Sequence, residues 1–190
     1  MKKSITVYCA SSNDLDPIYI EAARQLGAAA AGRGVNIVTG AGYTGLMGAV
    51  ADAALGAGGT VTGIIPQFMV DRGWHHRGLT RLVTVDTMHS RKAMMASESC
   101  AAIALPGGIG TFEELLEIIT WRQLGLFEGN VVILNANSYY DPLIAMMRQA
   151  VEQGFMRPDH MRLFTVAATV DEALAAALAR PEQLTFTPKF

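Results

Sequence analysis

The chain has 190 residues, 51% of them hydrophobic, with 15 Lys and Arg against 17 Asp and Glu. That length suits one well-buried core and is short for two, so a single domain over residues 1–190 is expected. A net charge of −2 lacks the basic excess of a nucleic-acid or membrane-surface binder, and no apolar run approaches the ~20 residues of a membrane span.

Met1-Lys2-Lys3-Ser4 leads directly into Ile5-Thr6-Val7-Tyr8. With no long apolar stretch and no small-residue cleavage site, this reads as a first strand, not a signal peptide. Apolar runs at 5–9, 35–39, 60–65, 82–85, 101–105, 131–135 and 163–166 are the strand candidates. They do not alternate strictly, as expected for strands covered on both faces. Helical patterns lie between them at 17–31, 46–57, 90–98, 112–127, 142–153 and 171–179. Asp16-Pro17 supplies an N-cap and an N1 proline, and Gly32, Gly58 and Gly154 sit at helix ends. This alternation predicts an α/β fold: a doubly wound parallel sheet with right-handed crossovers and helices on both faces. Ligands in such sheets bind beyond the carboxyl ends of the strands, which singles out the loops at 10–14, 40–46, 86–92 and 106–111.

Cys9 and Cys100 have no CxxC partner and read as free buried thiols in a reducing, cytoplasmic setting. His75, His76, His89 and His160 show no metal-ligand spacing, so no metal is expected. Gly40-Ala41-Gly42-Tyr43-Thr44-Gly45 matches a dinucleotide fingerprint. The next strand, however, ends in Pro66-Gln67, with no acidic residue to hold a ribose. A tight turn lining a pocket is the better reading of these glycines.

Pro106-Gly107-Gly108-Ile109-Gly110-Thr111-Phe112-Glu113-Glu114 follows an apolar strand and enters a helix. Glycines allow consecutive N–H groups to turn inward as an anion nest, and the helix N-terminus adds donors and partial positive charge. Thr111 adds a hydroxyl. No Lys-Ser/Thr follows the glycines, which argues against a triphosphate–magnesium site. Glu114 has two readings: the last residue of a capping box begun by Thr111, or a carboxylate facing the ribose of a bound nucleotide. Glu113 and Glu117 are assigned to other helix faces. Arg91-Lys92 is either a solvated basic pair or the cation beside that carboxylate. Lys92 is the only lysine apart from Lys2, Lys3 and Lys189. His89 is a lesser acid–base candidate, or a partly buried structural histidine.

Met88-His89-Ser90-Arg91-Lys92 together with the 106–114 loop resembles the Lonely guy (LOG) family of cytokinin riboside 5′-monophosphate phosphoribohydrolases, long labelled lysine decarboxylases. The likeness extends to Gly45-Leu46-Met47-Gly48, Ile65-Pro66 and Trp121-x-Gln123-Leu124-Gly125. It implies a Rossmann-like sheet, a homodimer, no cofactor, and hydrolysis of a nucleoside 5′-monophosphate to free base and ribose 5-phosphate. By that resemblance Arg91 and Glu114 are the catalytic pair. Lys92, Gly108, Ile109, Gly110, Thr111 and Thr120 are nucleotide-binding positions, as are Arg91 and Glu114 themselves, with Gly107 in the same loop. Among the departures, Ala41 replaces one glycine of a run, and Gly73 stands where many members carry a glutamate. A non-catalytic sensor of AMP-like ligands is the alternative reading, since it shares every phosphate feature.

Overall fold

The computed structural model of the protein describes residues 3–182. Seven strands form one parallel sheet: β1 (Ser4–Tyr8), β2 (Asn36–Thr39), β3 (Val61–Pro66), β4 (Arg81–Val85), β5 (Ala101–Ala104), β6 (Asn130–Leu134) and β7 (Thr165–Ala167). Their spatial order is β4-β3-β2-β1-β5-β6-β7. The winding therefore reverses between β1 and β5, the switch point at which doubly wound sheets open a crevice.

The helices are α1 (Pro17–Gly32), α2 (Gly45–Gly56), α3 (Gln67–Asp71), α4 (Met88–Ser97), α5 (Ile109–Gln123), α6 (Asp141–Glu152) and α7 (Val170–Leu178). Short 3₁₀ segments occupy Ala136–Ser138 and Pro158–Leu163. Asp16 caps α1, its side chain accepting from the Ile18 N–H at 3.0 Å, with Pro17 at N1. Strand residues divide between two cores. Ile5 and Val7 of β1 pack with Leu26, Val50 and Leu174 from α1, α2 and α7. Tyr8 and Val38 pack with Met95, Leu115 and Ile144 from α4, α5 and α6 on the other face. The inner strands, covered on both faces, have no solvent side, which explains their largely apolar runs, whereas the edge strands β4 and β7 keep exposed residues.

Three expectations need correction. The strand expected at 163–166 begins later, as β7, because Leu163 closes a 3₁₀ segment. Helix α3 was not expected: five residues long with no buried side chain, it is too short for an apolar period. Cys9 is buried, but Cys100 is exposed and its thiol donates to Ser4 O at 3.1 Å. Among the described residues, no helix is long and apolar enough to cross a membrane. Lys2 and Lys189 lie outside the described residues.

Candidate active site

A cleft of about 590 Å³ opens at the carboxyl ends of the strands, over the β1/β5 switch point. Cys9, Ala10, Ser11 and Ser12 line it from the loop after β1, and Gly40, Gly42, Tyr43 and Thr44 from the loop after β2. Met88 and Arg91 enter from α4, while Gly108, Gly110, Thr111, Glu113 and Glu114 enter from α5. All four loops singled out from the sequence thus contribute to it. A second groove of about 640 Å³ lies between α1 and α2, with Glu21, Arg24 and Asp52 on its walls. It includes no part of the loops at the strand ends.

Arg91 is set by the start of α4. Thr87 is the N-cap, its hydroxyl accepting from the Ser90 N–H at 3.0 Å. One turn further on, the Arg91 side chain is buried beneath the cleft. Its Nε donates to Ile64 O at 3.2 Å and its Nη2 to Gly40 O at 3.0 Å. These carbonyls belong to β3 and to the residue after β2, so two strand ends fix the guanidinium plane. Among the described residues Nη1 donates only to Met88 Sδ, at 3.8 Å, a weak acceptor that leaves it available to a ligand. Gly40 leaves room for this placement, since a Cβ there would sit 1.6 Å from Arg91 Nη2 and displace the guanidinium. The next residue, Ala41, has φ 64, in the region that favours glycine. That is the residue the LOG resemblance leads one to expect there.

Helix α5 begins earlier than the sequence suggests. Gly108 is its N-cap, and the first helical bond runs from the Phe112 N–H to Gly108 O at 3.0 Å. The N–H groups of Gly108, Ile109, Gly110 and Thr111 therefore have no intrahelical acceptor. Thr111 is the third residue of the helix and not its cap, so the capping box with Glu114 does not form. The half-buried Glu114 carboxyl accepts no hydrogen bond among the described residues and faces the cleft. Burial pushes its pKa up to about 7, aided by the neighbouring Glu113 charge and opposed by Arg91 and Lys92. Cys9, also in the cleft, is driven well above its usual value, first by burial and then by Glu114. That direction favours the protonated thiol, the weaker nucleophile.

Of the residues expected in the site, Arg91, Gly108, Gly110, Thr111 and Glu114 meet in the cleft. Gly107 is buried behind Thr111, and the Ile109 side chain points outward, 86% exposed. Lys92 does not line the cleft. Its ammonium pairs with Glu113 and, at 3.1 Å, with Glu117. Burial opposes its charge, but hydrogen bonds to the two carboxylates outweigh that and hold it above the ordinary lysine value. Glu113 serves both sides, pairing with Lys92 while also lining the cleft edge. Thr120 is exposed, donates to Leu116 O at 2.8 Å, and lies roughly 13 Å along the helix from Thr111. His89 is exposed and outside the cleft. Met69 and Trp74, from the stretch after β3, line the cleft and were not anticipated. The available signal was two aromatic residues, Phe68 and Trp74, around Arg72, whose guanidinium lies 5.5 and 5.0 Å from their ring centroids.

A family described as "Possible lysine decarboxylase" matches residues 47–177. The chain is also 42% identical over 175 residues to the cytokinin riboside 5′-monophosphate phosphoribohydrolase of Rhodococcoides fascians, covering 92% of this chain and 88% of that one. It is 44% identical over 172 residues to a probable enzyme of the same name from Oryza sativa subsp. japonica, covering 90% and 70%. The chain belongs to the LOG family. The matched span holds Arg91, Lys92 and the whole 106–114 loop. Among solved structures, the molybdenum cofactor carrier protein of Chlamydomonas reinhardtii aligns with a TM-score of 0.69 and 23% identity, over 93% of this chain and 96% of that one. This likeness shows a shared fold. The decarboxylase description does not suit this LOG chain, since such chemistry uses pyridoxal phosphate held on a lysine. Lys3 and Lys92 are the lysines among the described residues, and neither lines the cleft.

Proposed function

We propose that the chain hydrolyses the N-glycosidic bond of a nucleoside 5′-monophosphate, releasing a free base and ribose 5-phosphate. The observation that carries this reading is the pairing in one cleft of a strand-anchored Arg91 with a Glu114 carboxyl that no protein donor occupies. The phosphate binds the N–H groups of residues 108–111 and the Thr111 hydroxyl, where helix-terminal donors favour an anion. Binding energy from this non-reacting group positions the ribose. Glu114, one turn along α5, then faces the anomeric carbon. As the bond to the base breaks, its carboxylate stabilises the oxocarbenium-like centre and orients water. Water delivers hydroxide to the anomeric carbon, and the departing base nitrogen takes up a proton. Arg91 holds the nucleotide in register and supplies the positive charge that a carboxylate beside a phosphate needs.

Tyr43, Met69, Trp74 and Met88 give the cleft an apolar wall suited to a purine, as in a cytokinin riboside monophosphate or AMP. Thr120 cannot reach its own cleft, so a nucleotide-binding role for it belongs to a homodimer in which it approaches the partner's site. The exposed Met88, Ile109 and Leu116 on α4 and α5 provide apolar surface for that association. One domain, acting in the cytoplasm, completes the reading. The test is Glu114→Gln, which should lower base release at least about 100-fold while AMP still binds. Turnover near wild type would reject the role of Glu114. AMP binding by wild-type protein without base release would favour the sensor reading.

A further inference from the structure

Three successive carbonyls leading into α5 are each held from outside the segment. Leu105 O accepts from the Tyr140 hydroxyl at 2.7 Å. Pro106 O accepts from the Ala10 N–H at 3.1 Å. Gly107 O accepts from the Tyr139 hydroxyl at 2.5 Å. The next carbonyl, Gly108 O, takes the first helical bond from Phe112. The segment's acceptors are thus all engaged away from the nest.

In a trans peptide the carbonyl of one residue and the N–H of the next point in opposite directions across one rigid plane. Holding Gly107 O therefore fixes the direction of the Gly108 N–H, the first of the four nest donors. Holding Leu105 O fixes no donor, because Pro106 has no N–H. The two neighbouring tyrosines make similar bonds with different consequences.

The turn after β6 is built to present both. Asn135 Oδ1 accepts from the Tyr140 N–H at 2.7 Å, and its Nδ2 donates to Asp141 Oδ1 at 2.7 Å. Asn137 and Ser138 follow one another with φ 52 and 58, a conformation that persists only where surrounding contacts impose it. The Tyr139 ring is wedged edge-on to Tyr19 and Tyr140, with centroids 5.8 and 5.1 Å away, and stacks on Phe112 of α5 at 6.4 Å. It does not line the cleft and touches no reacting atom.

We propose that Tyr139 is a positioning residue for phosphate binding: its hydroxyl, through Gly107 O, aims the Gly108 N–H at the phosphate. The Tyr140 hydroxyl beside it serves the end of β5 alone. This proposal rests on the reading of residues 108–111 as a phosphate site.

The experiment compares wild type, Tyr139→Phe and Tyr140→Phe by calorimetric titration with AMP and with ribose 5-phosphate, alongside melting temperature and steady-state kinetics. Tyr139→Phe should weaken both ligands by about tenfold, and raise KM by a similar factor with kcat retained. Tyr140→Phe should lower the melting temperature at least as much, yet keep both affinities within about twofold, since its bond orients no donor. Unchanged affinity in Tyr139→Phe would overturn the proposal. So would equal losses in the two variants, which would reduce both tyrosines to structural supports. Wild-type protein that binds AMP without releasing base would defeat the hydrolase reading, while Tyr139 would still be judged by affinity. Failure of wild type to bind either ligand would overturn both.

Discussion

Glu114 combines a raised pKa, a place in the cleft and no protein donor, and these share one cause. Its carboxyl is largely withdrawn from water, no protein hydrogen bond replaces that water, and the nearby Arg91 and Lys92 charges repay the loss only in part. The folded value of about 7 lies above the 4.5 of an unperturbed glutamate. The folded state therefore binds this proton more tightly than the unfolded state. Stability from this source is complete below about pH 4.5, declines as pH rises towards 7, and is level above that. Glu114→Gln should thus raise stability by about 2–3 kcal/mol at pH 8 and change it little at pH 4.5, a difference readable from denaturation at the two pH values. Stabilisation of equal size at both pH values would contradict the assignment. NMR titration of the ligand-free protein should find the Glu114 midpoint near 7, and Arg91→Met should move it higher, because the guanidinium favours the ionised form. A residue that destabilises its own fold at the pH where it works is the pattern expected of a functional group.

At the scale of elements, α4 and α5 deliver the two groups of the pair, and their N-termini decide the geometry. Thr87→Ala removes the α4 cap and should cost about 1 kcal/mol by denaturant unfolding. Because Arg91 lies one turn from that cap, base release should also fall several-fold, and an unchanged rate would show that the strand carbonyls alone hold the guanidinium. Much of this was legible in the chain. The seven strands announce themselves as short apolar runs, and six of the seven helices as longer periodic ones. The glycines of the loop 106–114 mark it as the candidate anion site. The details missed are those that depend on helix phase and tertiary neighbours. The glycines that mark the nest also mask the start of α5, so Thr111 looked like a cap and Glu113 seemed to face elsewhere. From the sequence Arg91-Lys92 is either a solvated pair or the cation of the site, and the resemblance makes Lys92 a nucleotide-binding position. Only the packing of α4 against α5 shows its charge already engaged by Glu113 and Glu117. Met69 lies in, and Trp74 just after, a five-residue helix too short for an apolar period, so no helical periodicity could place them in the cleft.

For the molecule as a whole, the strand order does the assembling. Because the winding reverses between β1 and β5, the loops after these strands part and leave the crevice into which α4 and α5 project. Association of two copies through the Met88, Ile109 and Leu116 surface would bring Thr120 to a second cleft. Leu116→Glu, on an exposed position, should shift a dimer to a monomer in sedimentation and reduce base release together with it. A monomeric wild type of full activity would dismiss that arrangement.

The central claim is that a phosphate anchored on the α5 nest drives cleavage of the N-glycosidic bond. It is tested most directly by following free base from AMP and isopentenyladenosine monophosphate beside the corresponding dephosphorylated nucleosides. The account predicts base release from the monophosphates and, with the anchoring group removed, essentially none from the nucleosides. Equal release from nucleosides and monophosphates, or none from any of them, would contradict it.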